Sequence, residues 1–425
     1  MTTSSAQLSH NRLELLYRLS QTFNSSLDLD EVLNSVIDEV IAALHAERGF
    51  IMLLEANGGQ TFRVARGLDQ TTIDQPQSQV SQSVVQKVAQ EGKAILTSDA
   101  QADARFNMRQ SVMLLGLRSV LCVPVSIKEK VLGVVYADNR FEAGIFTQAD
   151  MDLLTAITAI AAIAIDNARL YQLAVEKGRL LRELQMAREM QTSFLPDSVP
   201  QIPGWQFAAR WLPAREVAGD YYDFIQLDDH QLGLVIADVT DKGAAAALFM
   251  VFTNSIVRAS VHPHIPPVES LVSANRLICQ KSPNAMFVSL VYCQLDTTNG
   301  QVTYVNAGHN PPLHYHAASG QLDHIVRTGM VLGIEPDTPY QQRELLIQPG
   351  DFILFYTDGL VDAINASEEA YNLARLEQIA TQSPAASAED LLQRIEADLL
   401  AHTGGIVPFD DITVLVVKRN QVIKE

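Results

Sequence analysis

Apolar residues in the first 155 or so positions alternate between helical and strand-like spacing. Helical spacing predicts one helix from Leu13 to Phe23 and a second over Val32–Leu44, which follows an acidic start at residues 28–31. Strand-like runs follow at Gly49–Leu54, Thr61–Ala65, Ser119–Ile127 and Val131–Ala137. The turn Lys128–Lys130 joins the last two as a hairpin, so we expect a first domain of mixed helices and strands.

One long helical pattern then runs from about Met151 to Phe194, where Pro196 ends it. A heptad repeat fits its second half, with a positions 170, 177, 184 and 191 and d positions 173, 180, 187 and 194. The repeat is imperfect because Lys177 and Gln191 are polar. A helix packed on its own domain and a short parallel dimer helix both fit. The pattern favours the dimer, and the helix would connect two domains.

Beyond Pro196 the pattern predicts a second domain rich in strands. Strands are predicted at Gln231–Asp238, Met286–Asp296, Gln301–Asn306, Pro312–His316, Leu322–Val326, Arg343–Ile347, Phe352–Tyr356 and Ile412–Lys418. Helices are predicted at Ala244–Ala259, Val268–Gln280 and Ala388–Leu400. Many antiparallel strands with few helices indicate an α+β sandwich in which helices cover the sheets. We therefore divide the chain into residues 1–160, a helical linker at 161–196, and residues 197–425.

Composition and charge narrow the functional classes. The net charge of −18 argues against binding nucleic acid, which requires a basic surface. Cys122, Cys279 and Cys293 show no paired spacing, so buried, reduced thiols are expected. The N-terminus is polar, and the most apolar stretch, Ala156–Ile165, is too short to span a bilayer. We expect a cytoplasmic protein.

Four short acidic motifs suggest the chemistry of the second domain: Gly219–Phe224, Ala237–Val239, Tyr356–Gly359 and Asp410–Thr413. In three of them the aspartate adjoins an apolar run that is typical of a buried strand. Carboxylates gathered from distant parts of one domain repel each other unless cations lie between them. Such oxygen ligands suit Mg²⁺ or Mn²⁺ rather than Zn²⁺. The motifs predict a hydrolytic centre with two metal ions.

From about residue 187 to its end, the chain resembles the metal-dependent (PPM-type) serine/threonine protein phosphatases. The resemblance is to the branch of the stage II sporulation phosphatase and the phosphatases that regulate stress-response sigma factors. It rests on the four acidic motifs and on further stretches at Ala187–Gln191, Leu195–Pro196, Pro213–Ala218, Thr240–Gly243, Asn306–Pro312 and Pro349–Asp351.

The resemblance implies the residues of the catalytic centre. Asp220 and Asp238 would bridge or flank two divalent ions, Mn²⁺ or Mg²⁺, with the backbone carbonyl of Val239 as a further ligand. Asp358 and Asp410 would complete the site. Asp411 is the alternative to Asp410, which we favour. Two such ions activate a bridging water for in-line attack on a phosphate ester, so no serine or cysteine nucleophile is needed.

Other polar residues of these motifs have open roles. Arg215 and Lys242 are candidates to steer the phosphate, or are solvated charges. His309 is either a proton donor or positioning group, or part of a turn. Asp223 and Asp241 are expected to lie in turns or to support the metal ligands.

The first domain resembles GAF sensor domains, which implies an antiparallel sheet with flanking helices. The resemblance lies in Arg48–Leu54, Ser119–Val125, Leu132–Asn139 and the helix Ala161–Tyr171. The cyclic-nucleotide signature is matched only in part around Asn139-Arg140 and Phe146–Met151, and these residues can instead cap the final helix. The GAF ligand stays unassigned.

The leading hypothesis is a GAF-regulated protein phosphatase that acts, by family resemblance, on a phosphorylated anti-anti-sigma-type regulator and forms a homodimer through the linker. A catalytically silent scaffold that binds a phosphoprotein is the main alternative. A small-molecule phosphatase is a further one.

Overall fold

The structure is a computed structural model that describes residues 14–55, 59–69, 71–97, 118–141, 143–282, 286–383 and 386–421. The predicted helix residue Leu13 lies outside the described residues. The chain forms two compact units, Met1–Leu180 and Leu181–Glu425. Their boundary falls within the predicted linker.

The first unit contains one five-stranded antiparallel sheet with the order β2-β1-β5-β4-β3. Its strands are β1 (Arg48–Leu54), β2 (Gln60–Gly67), β3 (Ile95–Thr97), β4 (Ser119–Ile127) and β5 (Lys130–Asn139). Its helices are α1 (described at 14–23), α2 (Leu29–Leu44) and α3 (Gln82–Glu91). The sequence pattern predicted β1, β2, β4 and β5 but not β3 or α3.

Both faces of this sheet are covered. Val36 and Ile37 of α2 pack with Val123 and Val135 on one face, and Val85 of α3 lies in the core of the other. Helix α2 begins at Leu29, three residues before the predicted Val32, because the Asp28 carboxylate accepts hydrogen bonds from the N–H groups of residues 30 and 31.

The long helix α4 (Gln148–Thr192) has 45 residues. Asp150 accepts hydrogen bonds from the N–H and hydroxyl of Thr147 at 2.9 and 2.7 Å, as expected if these residues cap the helix. Among the described residues, α4 is the helix long and apolar enough to span a membrane; 44% of its apolar window is buried inside the protein. Residues such as Leu154, Ile157 and Ile165 lie in the core of the first unit, which accounts for their apolar character.

The second unit is a sandwich of two five-stranded antiparallel sheets, β13-β10-β9-β8-β7 and β12-β11-β14-β15-β6. The strands are β6 (Trp205–Leu212), β7 (Tyr221–Gln226), β8 (Gln231–Val239), β9 (Val288–Asp296), β10 (Gln301–Ala307), β11 (Leu313–His316), β12 (Gln321–His324), β13 (Arg343–Leu346), β14 (Phe352–Tyr356) and β15 (Ile412–Arg419). The helices are α5 (Ala244–Ser260), α6 (Pro267–Lys281), α7 (Asp358–Val361), α8 (Leu373–Gln382) and α9 (Ala388–Thr403).

Three apolar layers hold this unit together. The central layer lies between the sheets and includes Leu234, Val291, Phe355 and Leu415. The outer layers join α5 and α6 to one sheet and α8 and α9 to the other. The resulting α-β-β-α sandwich agrees with the predicted α+β fold, although the sequence pattern did not predict β6, β7, α7 or α8.

The three cysteines are free thiols. Cys122 and Cys293 are buried, as predicted, but Cys279 is only partly buried. The expectation of a buried thiol was therefore wrong for Cys279, which lies near the end of α6.

Candidate functional site: an acidic centre at the edge of the sandwich

The acidic motifs meet at one edge of the sandwich because both sheets contribute strand ends there. Asp220 directly precedes β7, and Asp238 lies near the end of β8. The β7–β8 register pairs Tyr221 with Ala237, which places Asp220 opposite Asp238. From the other sheet, Asp358 follows β14 and the pair at 410 and 411 precedes β15.

Two threonine hydroxyls fix the side chain of Asp220. Oγ1 of Thr357 and Oγ1 of Thr413 donate hydrogen bonds of 2.7 and 2.9 Å to the same oxygen, Asp220 Oδ2. The Thr413 N–H in turn donates to Thr357 Oγ1 at 2.9 Å. Asp220 is 2% exposed, and its pKa lies well above the usual value because of burial and repulsion from Asp238. Both hydroxyls contact Oδ2, so neither of them occupies Oδ1.

Asp238 and Asp358 share this electrostatic environment. Burial, followed by repulsion from Asp358, raises the pKa of Asp238 to about 7. Burial, followed by repulsion from Asp410, also raises the pKa of Asp358. Carboxylates held close enough to oppose each other's ionisation are stabilised in the charged form by cations.

Asp410 and Asp411 play different structural roles. Both oxygens of Asp411 accept backbone hydrogen bonds, from the N–H of Ala214 at 2.8 Å and of Gly219 at 2.7 Å. Asp410 forms an ion pair of 2.8 Å with Lys242, whose ammonium also donates to the Phe409 carbonyl. Asp411 thus holds the backbone before β7, and Asp410 presents the more accessible carboxylate. These contacts support Asp410 as the metal ligand.

Two glycines allow backbone groups to approach the centre. A Cβ atom on Gly359 would overlap the Asp411 carbonyl, so the turn after Asp358 can pass β15 only without a side chain. A Cβ on Gly219 would meet the Val239 carbonyl oxygen at 3.1 Å. The Val239 carbonyl, the predicted further ligand, therefore lies beside the segment that carries Asp220.

The donor set fits hard divalent cations. It consists of carboxylate oxygens and one backbone carbonyl, which are the ligands that Mg²⁺ and Mn²⁺ prefer. Repulsion from Asp358, Asp410 and Asp411 contributes to the raised pKa of Asp238. Carboxylates from both sheets therefore lie close enough to interact. Within the described residues, these carboxylates do not form a group of three whose oxygens all lie within 4.8 Å of one another.

His309 is buried beside this centre and is neutral. Burial lowers the pKa of His309 to about 4, which disfavours at pH 7 the imidazolium form that a general acid needs. Its Nδ1 shares a hydrogen bond of 2.7 Å with Ser289, which pairs with Asp238 across β8 and β9. Its backbone N–H donates to Asn306. These contacts favour the loop interpretation of His309.

The remaining candidates are spread around the site. Arg215 is exposed, and the contacts of Lys242 are with Asp410 and Phe409, so a phosphate contact for either residue stays a prediction. Asp223 lies within β7 rather than in a turn, 3.3 Å from Arg258. Asp241 occupies a turn with φ of 74°.

Comparison with known proteins identifies both units. Residues 228–420 match the stage II sporulation protein E (SpoIIE) family, and residues 26–166 match the GAF domain family. The chain combines a GAF domain with a SpoIIE-type phosphatase domain. The resemblances stated from the sequence are thereby confirmed for both domains.

Two similar proteins come from bacteria. The chain is 34% identical to Protein IcfG of Synechocystis over 56% of its length, and 29% identical to the phosphoserine phosphatase RsbU of Bacillus subtilis, also over 56%. These matches cover 42% of IcfG and 70% of RsbU. The chain thus spans less than half of the first of these relatives.

The fold of the SpoIIE-type domain also has a solved counterpart. The SiaA-PP2C domain of Pseudomonas aeruginosa superposes with a TM-score of 0.53 at 18% identity. The match covers 58% of this chain and 100% of that domain. At this identity the comparison establishes the fold alone.

The role of Gln191, in the last turn of α4, was not predicted from the sequence. Gln191 is 3% exposed; its side chain donates to the Ala218 carbonyl at 2.6 Å and accepts from the Ala218 N–H at 3.1 Å. Its polar character in an apolar heptad position was the available signal. The last turn of α4 is therefore tied to the backbone two residues before Asp220.

Proposed function

We propose that this protein is a Mn²⁺- or Mg²⁺-dependent phosphatase of phosphoserine and phosphothreonine in proteins, regulated by its GAF domain. The observation that carries the proposal is the convergence of Asp220, Asp238, Asp358 and Asp410 from two sheets on one edge. Membership of the SpoIIE family supports it.

The residues of the chain would hold and orient the reacting groups. Bound divalent ions supply an activated water and neutralise charge on the phosphoryl group. Asp220 is held by the hydroxyls of Thr357 and Thr413, so that one of its oxygens keeps a fixed direction. Asp411 fixes the backbone of Gly219, and Asp410 closes the site from the β15 side.

The experiment that tests the activity is hydrolysis of a phosphoserine peptide by the full chain. We expect Mn²⁺-dependent release of phosphate that EDTA abolishes. A phosphotyrosine peptide and a nucleotide monophosphate serve as comparison substrates, because a small-molecule phosphatase would prefer the nucleotide. A catalytically silent scaffold would release no phosphate from any of them while still binding the phosphopeptide.

The substrate we infer is a phosphorylated anti-anti-sigma-type regulator in the cytoplasm. The similarity to phosphoserine phosphatases RsbU and RsbP of Bacillus subtilis supports phosphoserine as the substrate group. Dephosphorylation of such a regulator by the purified chain, together with its recovery in the cytosolic fraction of cells, tests this inference. A regulator that stays phosphorylated while the peptide is hydrolysed would contradict it.

Regulation would pass through α4 because this helix begins in the GAF unit and carries Gln191 in its last turn. Changing Gln191 to Leu leaves the N–H and carbonyl of Ala218 without their partner, at a cost of about 1–3 kcal/mol. We expect phosphatase turnover to fall by about tenfold, since the segment that carries Asp220 loses its anchor.

The matched control is Gln185→Leu on the same helix. Gln185 is exposed, and its bond to Glu189 is 3.2 Å long. We expect this variant to keep wild-type turnover. Equal turnover of the two variants would rule out a role for the Gln191 contact in coupling.

We also propose a homodimer through the linker half of α4. Between residues 170 and 190 this helix exposes large apolar side chains, namely Leu170, Tyr171, Leu173, Val175, Leu180, Leu181, Met186 and Met190. Three of them, Leu170, Leu173 and Leu180, occupy a or d positions of the heptad repeat. We expect light scattering to give twice the chain mass of 46.7 kDa; a monomer at micromolar concentration would contradict the dimer.

A further inference from the structure

A second cluster of metal-binding side chains lies on the strands β12, β11 and β14. His314 and His316 point to the same face of β11 because they are two residues apart. Across the sheet, His314 pairs with Asp323 on β12, and Tyr315 pairs with Phe352 on β14. This register brings Asp351, the residue before β14, next to His316.

The distances within this cluster suit a metal ion better than hydrogen bonds. Asp351 Oδ2 lies 3.5 Å from His314 Nε2 and 3.7 Å from His316 Nδ1, beyond the usual hydrogen-bond length. Ligand atoms about 2.1 Å from a tetrahedral Zn²⁺ ion are separated by about 3.4 Å. Among the described residues, this is the one group of three such side chains whose ligand atoms all lie within 4.8 Å of one another.

Two of the three side chains are already oriented for coordination. His316 Nε2 is 2.9 Å from Asp323 Oδ2, and donation to this carboxylate leaves Nδ1 without a proton and free to bind. Asp351 accepts hydrogen bonds from the N–H groups of Ala317 and Gln348 at 2.8 and 3.0 Å. A histidine held by an outer carboxylate is the usual arrangement at zinc sites.

His314 has a buried nitrogen atom that lacks a partner, which independently indicates a bound ligand. Its side chain is 5% exposed, and its Nε2 atom is buried without a hydrogen-bond partner. An imidazole nitrogen without a hydrogen-bond partner, 3.5 Å from a carboxylate oxygen, is a suitable ligand for a divalent metal.

We propose that His314 Nε2, His316 Nδ1 and Asp351 Oδ2 bind one Zn²⁺ ion. Two imidazoles and a carboxylate suit zinc, whereas the all-oxygen acidic centre suits Mg²⁺ and Mn²⁺. His316 is 31% exposed, so a water molecule can occupy the fourth position. Asp351 and Thr357 lie at opposite ends of β14, roughly 20 Å apart at 3.3 Å per residue. The site is thus separate from the acidic centre and does not depend on the proposed phosphatase activity.

Titration calorimetry with Zn²⁺ on the EDTA-treated full chain tests the site. Excess Mg²⁺ in the buffer occupies the acidic centre, and Asp238→Asn provides a second background in which that centre is disabled. We expect one Zn²⁺ per chain in both. The His316→Ala variant should bind Zn²⁺ at least about 100-fold more weakly, and Asp323→Asn about tenfold more weakly.

The matched control is His324→Ala. His324 is also a strand histidine paired with a carboxylate, Glu377, at 3.0 Å, but it lies on the opposite face of the sheet from His314 and His316. We expect this variant to bind Zn²⁺ as the wild type does. Zn²⁺ should also raise the melting temperature of the wild type and of His324→Ala, but not of His316→Ala.

Two results would overturn the site. One is that the folded wild-type chain binds no Zn²⁺ at a free Zn²⁺ concentration of about 100 µM, at which even a weak site would be largely occupied. The other is equal affinity in the wild type and in His316→Ala. Because His316 is partly exposed, its replacement should leave the fold intact, and circular dichroism of the metal-free variant checks this.

Discussion

Asp238→Asn is expected to lower the turnover of a phosphoserine peptide by about 10³-fold or more. The substitution replaces the proposed carboxylate ligand, which interacts electrostatically with Asp220 and Asp358, with a neutral amide. Metal ions contribute several kcal/mol to stabilising a phosphoryl transition state, and each 1.36 kcal/mol is worth about a factor of ten. Steady-state kinetics over a range of Mn²⁺ concentrations measures the loss.

The control for this prediction is Asp229→Asn, which changes an exposed carboxylate in the turn between β7 and β8. We expect it to retain wild-type turnover. If Asp238→Asn kept more than a tenth of wild-type turnover at saturating Mn²⁺, Asp238 would not be a ligand of the catalytic ions.

The same residue is expected to make the metal-free domain less stable as pH rises. The pKa of Asp238 is about 7 in the folded protein, compared with 3.8 for an unperturbed aspartate. A raised pKa means that the folded state binds the proton more tightly, so this contribution is fully present below about pH 4. It is lost as pH rises through about 7. The difference between a pKa of 3.8 and one of about 7 corresponds to about 4 kcal/mol of unfolding free energy, as an order of magnitude.

Urea unfolding of EDTA-treated protein tests this pH dependence. Trp205 and Trp211, the two tryptophans of the chain, both lie in β6, so their fluorescence reports on the phosphatase domain alone. We expect Asp238→Asn to be more stable than the wild type at pH 8, and this difference to shrink toward pH 5. A difference that does not change with pH would contradict the raised pKa.

Bound metal should reverse the loss of stability that the ionised Asp238 causes at high pH. Divalent cations favour the ionised carboxylates, so saturating Mn²⁺ is expected to stabilise the wild type at pH 8 more than Asp238→Asn. The acidic centre thus binds metal ions but lowers the stability of the metal-free domain. Active sites commonly lower the stability of a fold in this way.

The strands that could be predicted from the sequence are those with turn-forming residues at both ends. For β14, the predicted span Phe352–Tyr356 is the observed one, because a continuous apolar run lies between Gly350-Asp351 and Thr357-Asp358. Helix α8 was missed although Leu376 and Ala380 keep helical spacing, since only ten residues carry the pattern. The strand β7 was missed because residues 219–224 were interpreted as a motif and not as a strand.

The acidic centre was predictable in its members but not in its internal contacts. Four aspartates could be selected from their positions beside apolar runs and from the family resemblance. The hydrogen bonds from Thr357 and Thr413 to Asp220 join residues 137 and 193 positions apart, in different sheets. Such contacts depend on how two sheets pack, which local patterns do not specify. The same holds for Asp411 and the N–H of Gly219.

The central claim is that carboxylates from two sheets hold a pair of divalent ions. A crystal of the full chain soaked in Mn²⁺ tests it most directly through anomalous scattering. We predict two peaks among Asp220, Asp238, Asp358 and Asp410, and loss of both in Asp238→Asn. A soaked wild-type crystal with no peak among these side chains would contradict the account.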